Sequence, residues 1–119
     1  MTIKRIEAGD RMSQAVVHGN TVYTAGQVAQ RESGGTISAQ TKDILAKIDD
    51  LLEEAGTDKT KLLTASIWLK DIESDFATMN KVWLEWVDEV NKPARATTEA
   101  NLAFPNLLVE VQVSAAIED

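Results

Sequence analysis

The sequence predicts an α+β fold in which a six-stranded mixed sheet carries two helices on one face, in the order βββ-α-β-α-ββ. Two segments show apolar residues at helical spacing, and six short segments are rich in β-branched and apolar residues. The 119 residues fit one domain over residues 1–119, and no stretch is typical of a linker between two domains.

The first half of the chain opens with three predicted strands at residues 3–6, 14–17 and 22–25. Gly19 and Asn20 separate the second and third strands, and a Gly-Asn pair between β-type runs is a hairpin signal. Residues 31–36 then form a polar loop that contains glycine.

A first helix is predicted to begin at Ser38 or a neighbour and to end at Gly56, where a left-handed C-terminal cap is expected. Its charged residues occupy the rest of the cylinder and indicate a solvated face. The apolar residues that recur at helical spacing on the other face are Ile44, Leu45, Ile48, Leu51, Leu52 and Ala55.

Residues 62–69 read as a central strand, because apolar residues occur on both alternating faces. Asp71 or Ser74 caps a second helix, which Asn91-Lys92-Pro93 stops. The Trp and Met stripe of this helix is predicted to be core. The apolar residues that show the helical period are Phe76, Met79, Trp83, Trp86, Val87 and Val90.

Residues 94–100 and 107–117 are the last two predicted strands, joined by a turn that contains Phe104-Pro105-Asn106. Two helices cover one face of such a sheet, yet the inner strands look apolar on both faces. A neighbouring subunit is the simplest cover for the second face, so the sequence predicts a homo-oligomer.

Composition excludes several classes of function. A formal net charge of −7 with scattered basic residues argues against a nucleic-acid partner. The absence of cysteine excludes disulfides and thiolate chemistry, and His18 is the only histidine, so we expect no metal and no cofactor. No window reaches the apolar length of a membrane helix, and we expect a cytoplasmic protein without a membrane partner.

Arg95 and Glu110 are the candidate site residues, since a carboxylate within the apolar run 107–111 is costly unless it is paired or hydrogen-bonded. Strand alternation places Arg95, Thr97 and Glu99 on one face, and Glu110 in a polar row on the next strand. Adjacent strands are therefore predicted to bring Arg95 and Glu110 into one pocket. The residues alone leave two alternatives open, a structural ion pair or a site in which the guanidinium binds a carboxylate and Glu110 acts as a base.

The sequence resembles the Rid family, also called YjgF/YER057c-like, over almost its whole length. Pro93-Ala94-Arg95-Ala96 and the later Val109-Glu110-Val111 are similar to the C-terminal signature of the family. Residues 13–20 with 22–27 are similar to its N-terminal strand pair, and residues 75–80 to the opening of its second helix. Within the family, the chain is similar to the small bacterial branch typified by YoaB.

The resemblance implies a chorismate-mutase-like fold and a homotrimer with clefts between subunits. It also implies an enzyme, a deaminase that hydrolyses reactive 2-imino or 2-enamino acids to 2-keto acids and ammonia. Carried over, Arg95 binds the substrate carboxylate and Glu110 positions or activates the attacking water. Backbone groups near Arg95 and Thr97 assist. Asn80 and Gly26 match positions of the family cleft, and at Gly26 the backbone passes close to the ligand.

The chain departs from the family pattern at positions around this pair. Met12 stands where the best-known deaminases carry a tyrosine, Ala25 replaces the turn serine, and Thr97 replaces a cysteine. Thr98 and Asn101 also break the strict signature. These departures leave a second hypothesis, a non-catalytic protein that binds small carboxylates in the same cleft. A third, ribonuclease activity, is the weakest for an acidic chain without a basic groove.

Overall fold

A computed structural model describes residues 2–30 and 35–118 and contains the predicted order of strands and helices. The predicted loop at 31–36 lies partly outside these described residues. The helices are α1 (Ile37–Ala55) and α2 (Ile72–Trp86), and an unpredicted 3₁₀ turn covers Lys59–Lys61. The strands are β1 (Ile3–Ala8), β2 (Ser13–His18), β3 (Thr21–Thr24), β4 (Leu62–Leu69), β5 (Ala94–Glu99) and β6 (Val109–Ala116).

The strands form one mixed sheet in the order β1-β2-β3-β6-β4-β5. Every neighbouring pair is antiparallel except β4 and β5, which are parallel and joined through α2. A parallel pair needs such a crossover, because a tight turn cannot return the chain to the same end of the sheet. Gly19, with φ of 62°, sits in the two-residue turn between β2 and β3, as the Gly-Asn signal predicts.

Both helices pack on one face of the sheet and form a single apolar core with it. The predicted apolar stripe of α1 is buried except at Ala55, which is partly buried. Alternate residues of β6 point toward the helices and belong to the same core. They are Val109, Val111, Val113 and Ala115.

Both helices begin and end at identifiable caps. Thr36 caps α1 by accepting a hydrogen bond from the Ala39 N–H, and Asp71 caps α2 by accepting one from the Ser74 N–H. Gly56 ends α1 with φ of 90°, and its N–H donates to carbonyls of the last turn. Of the two caps predicted for α2, the structure selects Asp71, and the predicted C-cap glycine is confirmed.

The second helix ends earlier than its apolar spacing predicts. It stops at Trp86, so Val87 and Val90 lie outside it, and Val90 is 85% exposed. The Asp88 carboxylate accepts hydrogen bonds from the N–H groups of Val90 and Asn91. This side chain gives the backbone an alternative to continued helix, which is the physical reason for the early stop.

The interpretation of β4 as apolar on both faces is wrong. The register shifts between Leu62 and Thr64, which leaves Leu63 as an extra residue that is 46% exposed. Beyond it the strand alternates, with Ala65, Ile67 and Leu69 buried under the helices. The other face, which we call the open face, carries Thr64, Ser66 and Trp68 on this strand.

The predicted neighbourhood of the last two strands is also wrong. Strand β4 lies between β5 and β6, with Ala65 paired to Arg95 on one side and to Val113 on the other. Consecutive strands are usually neighbours, and that tendency suggested the wrong pairing. The helical crossover places β5 at the edge of the sheet, and the long connection after it returns the chain to insert β6 next to β3.

Residues 2–30 and 35–118 contain no group of three or more His, Cys, Asp or Glu arranged to hold a metal ion. Neither α1 nor α2 combines the length and hydropathy that a bilayer crossing requires.

Gly56→Ala should lower the free energy of unfolding by about 1 kcal/mol, because an L residue is strained in the left-handed region. A Cβ at this position meets nothing within 4 Å, so the cost comes from the backbone alone. Gly35→Ala is the matched control, since its Cβ also meets nothing and its φ is not in that region. Urea denaturation compares the two variants, and equal losses would contradict the assigned cap.

Candidate active site

The predicted site residues fall into two separate groups in the folded chain. Glu110, Gly26 and Met12 line one cavity of about 580 Å³, which we call the glutamate pocket. Arg95 and Thr97 lie on the edge strand β5, beside α2. The remaining lining residues of the glutamate pocket are Glu7, Arg11, Gln14, Gln27, Val28, Lys47, Asp50, Leu51 and Ala103.

Glu110 is held in place by the two buried valines that flank it, Val109 and Val111. Since these enter the core, the side chain of Glu110 leaves the sheet on the open face, in register with Trp68 of β4. The carboxyl is half-buried, and its burial raises the pKa of Glu110 above the ordinary value. No ion pair joins it to any residue that the structure describes.

Gly26 leaves the space that the Glu110 carboxyl occupies. A Cβ added at Gly26 would lie 2.0 Å from Oε2 and 2.8 Å from Cδ of Glu110. The backbone is fixed at this approach, because the Gln27 N–H donates to the Val111 carbonyl at 2.8 Å and the Val111 N–H donates back at 3.1 Å. Any side chain at position 26 therefore displaces the carboxyl.

Arg95 extends from β5 toward α2, on the helix side of the sheet. Its Cζ lies 5.5 Å from the ring centroid of the buried Trp83, a cation–π contact that holds the guanidinium in place. Desolvation by burial lowers the pKa of Arg95, although an arginine keeps its charge at neutral pH. Among the described residues, no carboxylate forms an ion pair with it.

Thr97 follows Arg95 by two positions and therefore lies on the same face of β5. Its Oγ1 is buried, and no described group forms a hydrogen bond with it. Asn80 is half-buried on α2, one helical turn before Trp83. Arg95, Thr97 and Asn80 thus share one part of the chain, the edge formed by β5 and α2.

The prediction that adjacent strands bring Arg95 and Glu110 into one pocket is wrong within a single chain. Strand β4 separates them by two strand spacings, roughly 10 Å. They also project from opposite faces, since Arg95 is in register with the buried Ala65 and Glu110 with Trp68. The chain therefore holds the two groups apart, the guanidinium at the sheet edge and the carboxyl in the glutamate pocket.

Met12 and Ala25 replace the tyrosine and the serine of the family pattern that the sequence resembles. Met12 is 47% exposed and lines the glutamate pocket. Ala25 is not among the lining residues, and its N–H donates to the Gln14 carbonyl at 2.8 Å. Ala25 thus holds the backbone of the pocket wall.

Sequence reasoning missed several polar residues of the pocket, above all Gln14 and Gln27. The strand pattern places both glutamines near predicted strands, but it does not show which groups their side chains bind. Glu7 was also missed. It has φ of 50°, a left-handed conformation that is uncommon outside glycine, and no sequence signal marks it.

Comparison with known proteins agrees with this fold. A family model described as Endoribonuclease L-PSP matches residues 2–117. The crystal structure of NMB1025 from Neisseria meningitidis, a member of the YjgF protein family, superposes with a TM-score of 0.95 at 41% identity, over 100% of this chain and 98% of that one. The chain belongs to this family, the endoribonuclease L-PSP, YjgF or Rid family.

Two curated relatives place the chain further within the family. A RutC family protein from Haemophilus influenzae is 44% identical over 115 residues, which is 97% of this chain and 98% of that protein. The RutC family protein YoaB from Escherichia coli is 41% identical over 117 residues, 98% of this chain and 100% of YoaB. The resemblance to the YoaB-like branch is therefore confirmed at nearly full length.

Gly26→Ala should destabilise the protein through the collision with Glu110, and the loss should disappear when Glu110 is truncated. Comparing Gly26→Ala in the native and Glu110→Ala backgrounds should give a coupling free energy of about 1 kcal/mol. The loss stays small because the free end of the Glu110 side chain can move. Gly35→Ala serves as the uncoupled control, and a Gly26→Ala effect that is equal in both backgrounds would contradict the contact.

Proposed function

We propose that this protein hydrolyses reactive 2-imino and 2-enamino acids to 2-keto acids and ammonia, without a cofactor, in clefts between the subunits of a homotrimer. The observation that carries this proposal is a pair of half-buried charges that have no ion-pair partner among the described residues, Arg95 at the sheet edge and Glu110 in the glutamate pocket. Uncompensated, partly buried charges are costly, and they are typical of sites that receive a charged ligand.

The separation of Arg95 from Glu110 within one chain supports a site that is shared between subunits. Within one chain, Arg95 and Glu110 lie on opposite faces with β4 between them. A second copy whose β5 edge meets the glutamate pocket would complete the site. The open face supports association as well, because it carries small polar residues with Trp68 and the 51% exposed Tyr23, a surface that a neighbour can cover.

Arg95 would bind the carboxylate of the substrate, since a guanidinium presents two parallel N–H groups that match the two oxygens. The cation–π contact with Trp83 holds it in a fixed orientation. Thr97, whose buried Oγ1 has no described partner, offers a further donor beside it. Carboxylate capture at this edge would place C2 of the substrate toward the glutamate pocket of the neighbouring subunit.

Glu110 would activate water and then return the proton. As water attacks C2 of the iminium, the C–O bond forms, the C=N pair moves to nitrogen, and one water proton passes to Glu110. Glu110 next protonates the amino nitrogen, the C–N bond breaks, and the hydroxyl proton leaves with the ammonia as ammonium. Burial raises the pKa of Glu110, and the Arg95 guanidinium of a neighbouring subunit would lower it, which suits a group that both accepts and donates a proton.

The direct test generates a 2-imino acid in situ and follows its decay in the presence of the protein. Glu110→Gln should lower kcat by about 100-fold or more while keto-acid affinity is kept, whereas Arg95→Ala should weaken binding by about 10-fold or more. Calorimetry with a 2-keto acid gives the affinities. No acceleration over buffer by the native protein would overturn the deaminase proposal, and equal effects of both variants on kcat and binding would overturn the separate roles.

The shared site has its own test, in which Arg95→Ala and Glu110→Gln subunits are unfolded, mixed in equal amounts and refolded together. A site shared between subunits is intact when the Arg95→Ala subunit supplies its Glu110 carboxyl and the Glu110→Gln subunit supplies its Arg95 guanidinium. Random mixing then restores about a quarter of the native activity, from two inactive parents. Each variant refolded alone is the control, and a mixture no more active than its parents would contradict a site between subunits.

The second candidate is a non-catalytic protein that binds small carboxylates, and one residue of the pocket wall favours it. Met12 lines the glutamate pocket where the best-known deaminases carry a tyrosine hydroxyl. Loss of one hydroxyl costs on the order of 1 to 3 kcal/mol if its partner stays unpaired, which slows a deaminase without abolishing it. Keto-acid binding without turnover of any imine would favour this candidate.

The description of the family model also names endoribonuclease activity. For this chain it has little physical support, because the net charge is −7 and the two cations that line the glutamate pocket, Arg11 and Lys47, are outnumbered by the carboxyl groups of Glu7, Asp50 and Glu110. Such a surface offers a phosphate backbone no net positive charge to bind. Salt-sensitive RNA cleavage that Glu110→Gln abolishes would favour it over the deaminase.

A further inference from the structure

Three groups in the glutamate pocket wall form a chain of hydrogen bonds, which we call the amide relay: the Ala25 carbonyl and the side chains of Gln27 and Gln14. Nε2 of Gln27 donates to the Ala25 carbonyl at 3.2 Å and to Oε1 of Gln14 at 3.0 Å. Gln27 is only 6% exposed, so this arrangement is enclosed by protein.

The relay fixes which end of the Gln14 amide faces the pocket. A backbone carbonyl only accepts hydrogen bonds, so the end of Gln27 that contacts Ala25 is its NH₂ group. The second N–H of that group goes to Gln14, which must therefore turn its oxygen toward Gln27. The NH₂ group of Gln14 points away from Gln27, and no described residue accepts a hydrogen bond from it.

The free donor belongs to a side chain of the glutamate pocket. Gln14 and Glu110 both line this cavity, and the backbone of Gln14 is fixed because its carbonyl accepts a hydrogen bond from the Ala25 N–H. We propose that the NH₂ group of Gln14 donates a hydrogen bond to the oxygen of the attacking water, and that Gln27 is the residue that orients it. This inference rests on the proposed deaminase function and adds a residue to it.

The chemistry needs a donor of this kind. An ionised Glu110 can only accept, so it holds the water through one O–H and leaves the water oxygen without a donor. That oxygen forms the bond to C2, becomes the hydroxyl of the tetrahedral intermediate and ends as the carbonyl of the keto acid. A fixed N–H aimed at it serves every stage, because the oxygen accepts a hydrogen bond in each of these states.

Gln14→Met removes the donor and keeps a side chain of similar length. It should lower kcat by at least about 10-fold, whereas keto-acid affinity, which depends mainly on Arg95, should fall by less than about 5-fold. Gln27→Met frees Gln14 to rotate and should also lower kcat, because Gln27 orients the amide of Gln14. Because both act through one group, the double variant should be no slower than Gln14→Met.

Gln40→Met is the matched control, since Gln40 is a buried glutamine with a purely structural pair of bonds. Its Nε2 donates to the Asn106 carbonyl at 3.0 Å, and its Oε1 accepts from the Leu108 N–H at 2.9 Å. Gln40→Met should lower Tm and keep kcat. If Gln14→Met and Gln27→Met instead lower Tm and keep kcat, or if their kcat losses multiply, the relay is only structural and the proposal is overturned.

A second readout does not need turnover. In ¹H–¹⁵N spectra, the side-chain amide signals of Gln14 should shift when a 2-keto acid is added, and the shift should be lost in Gln27→Met. Unshifted signals at saturating keto acid would overturn the role of Gln14 even if the native protein is an active deaminase. A native protein that binds keto acid, shifts these signals and hydrolyses no imine would instead overturn the proposed function and leave Gln14 as a ligand contact.

Discussion

The position of β4 between β5 and β6 is the constraint from which the rest of the site follows. It separates Arg95 from Glu110 and, with strand alternation, sends their side chains to opposite faces of the sheet. Neither charge then has an ion-pair partner among the described residues. Each partly buried charge without a partner destabilises the folded chain, unless a second copy of the chain or a ligand provides an opposite charge. We propose that a second copy does so, because sharing turns a destabilising feature of one chain into a binding site.

The position of the Glu110 carboxyl in the glutamate pocket depends on a close approach of the backbone at Gly26. The bridge between Gln27 and Val111 brings Gly26 so close to β6 that only a residue without a Cβ leaves room for the Glu110 carboxyl. The same segment supplies the Ala25 carbonyl and the Gln27 side chain that orient Gln14. One short stretch after β3 thus sets the position of the carboxyl and the direction of the neighbouring amide.

The sequence predicted much of the fold because local rules decide it. Helical spacing, the Gly56 cap, the hairpin at Gly19 and the order of the elements all appear in the structure. Strand pairing did not follow, since no local pattern in residues 94–116 shows that β6 inserts on the far side of β4. The early end of α2 depends on the side chain of Asp88, and the bulge at Leu63 made a one-sided strand look two-sided. For the site, the candidate residues were predictable from the sequence, but the distance between Arg95 and Glu110 and the amide relay were not, because both are properties of the folded chain.

A crystal structure of the assembled protein with a 2-keto acid bound would test directly whether two subunits share the site. We expect the carboxylate of the ligand about 3 Å from the Arg95 guanidinium of one subunit, with the carbonyl carbon of the ligand facing the Glu110 carboxyl of another. A ligand whose carboxylate binds away from Arg95, or an assembly in which the guanidinium and the carboxyl of different subunits do not meet at one cleft, would contradict the shared site.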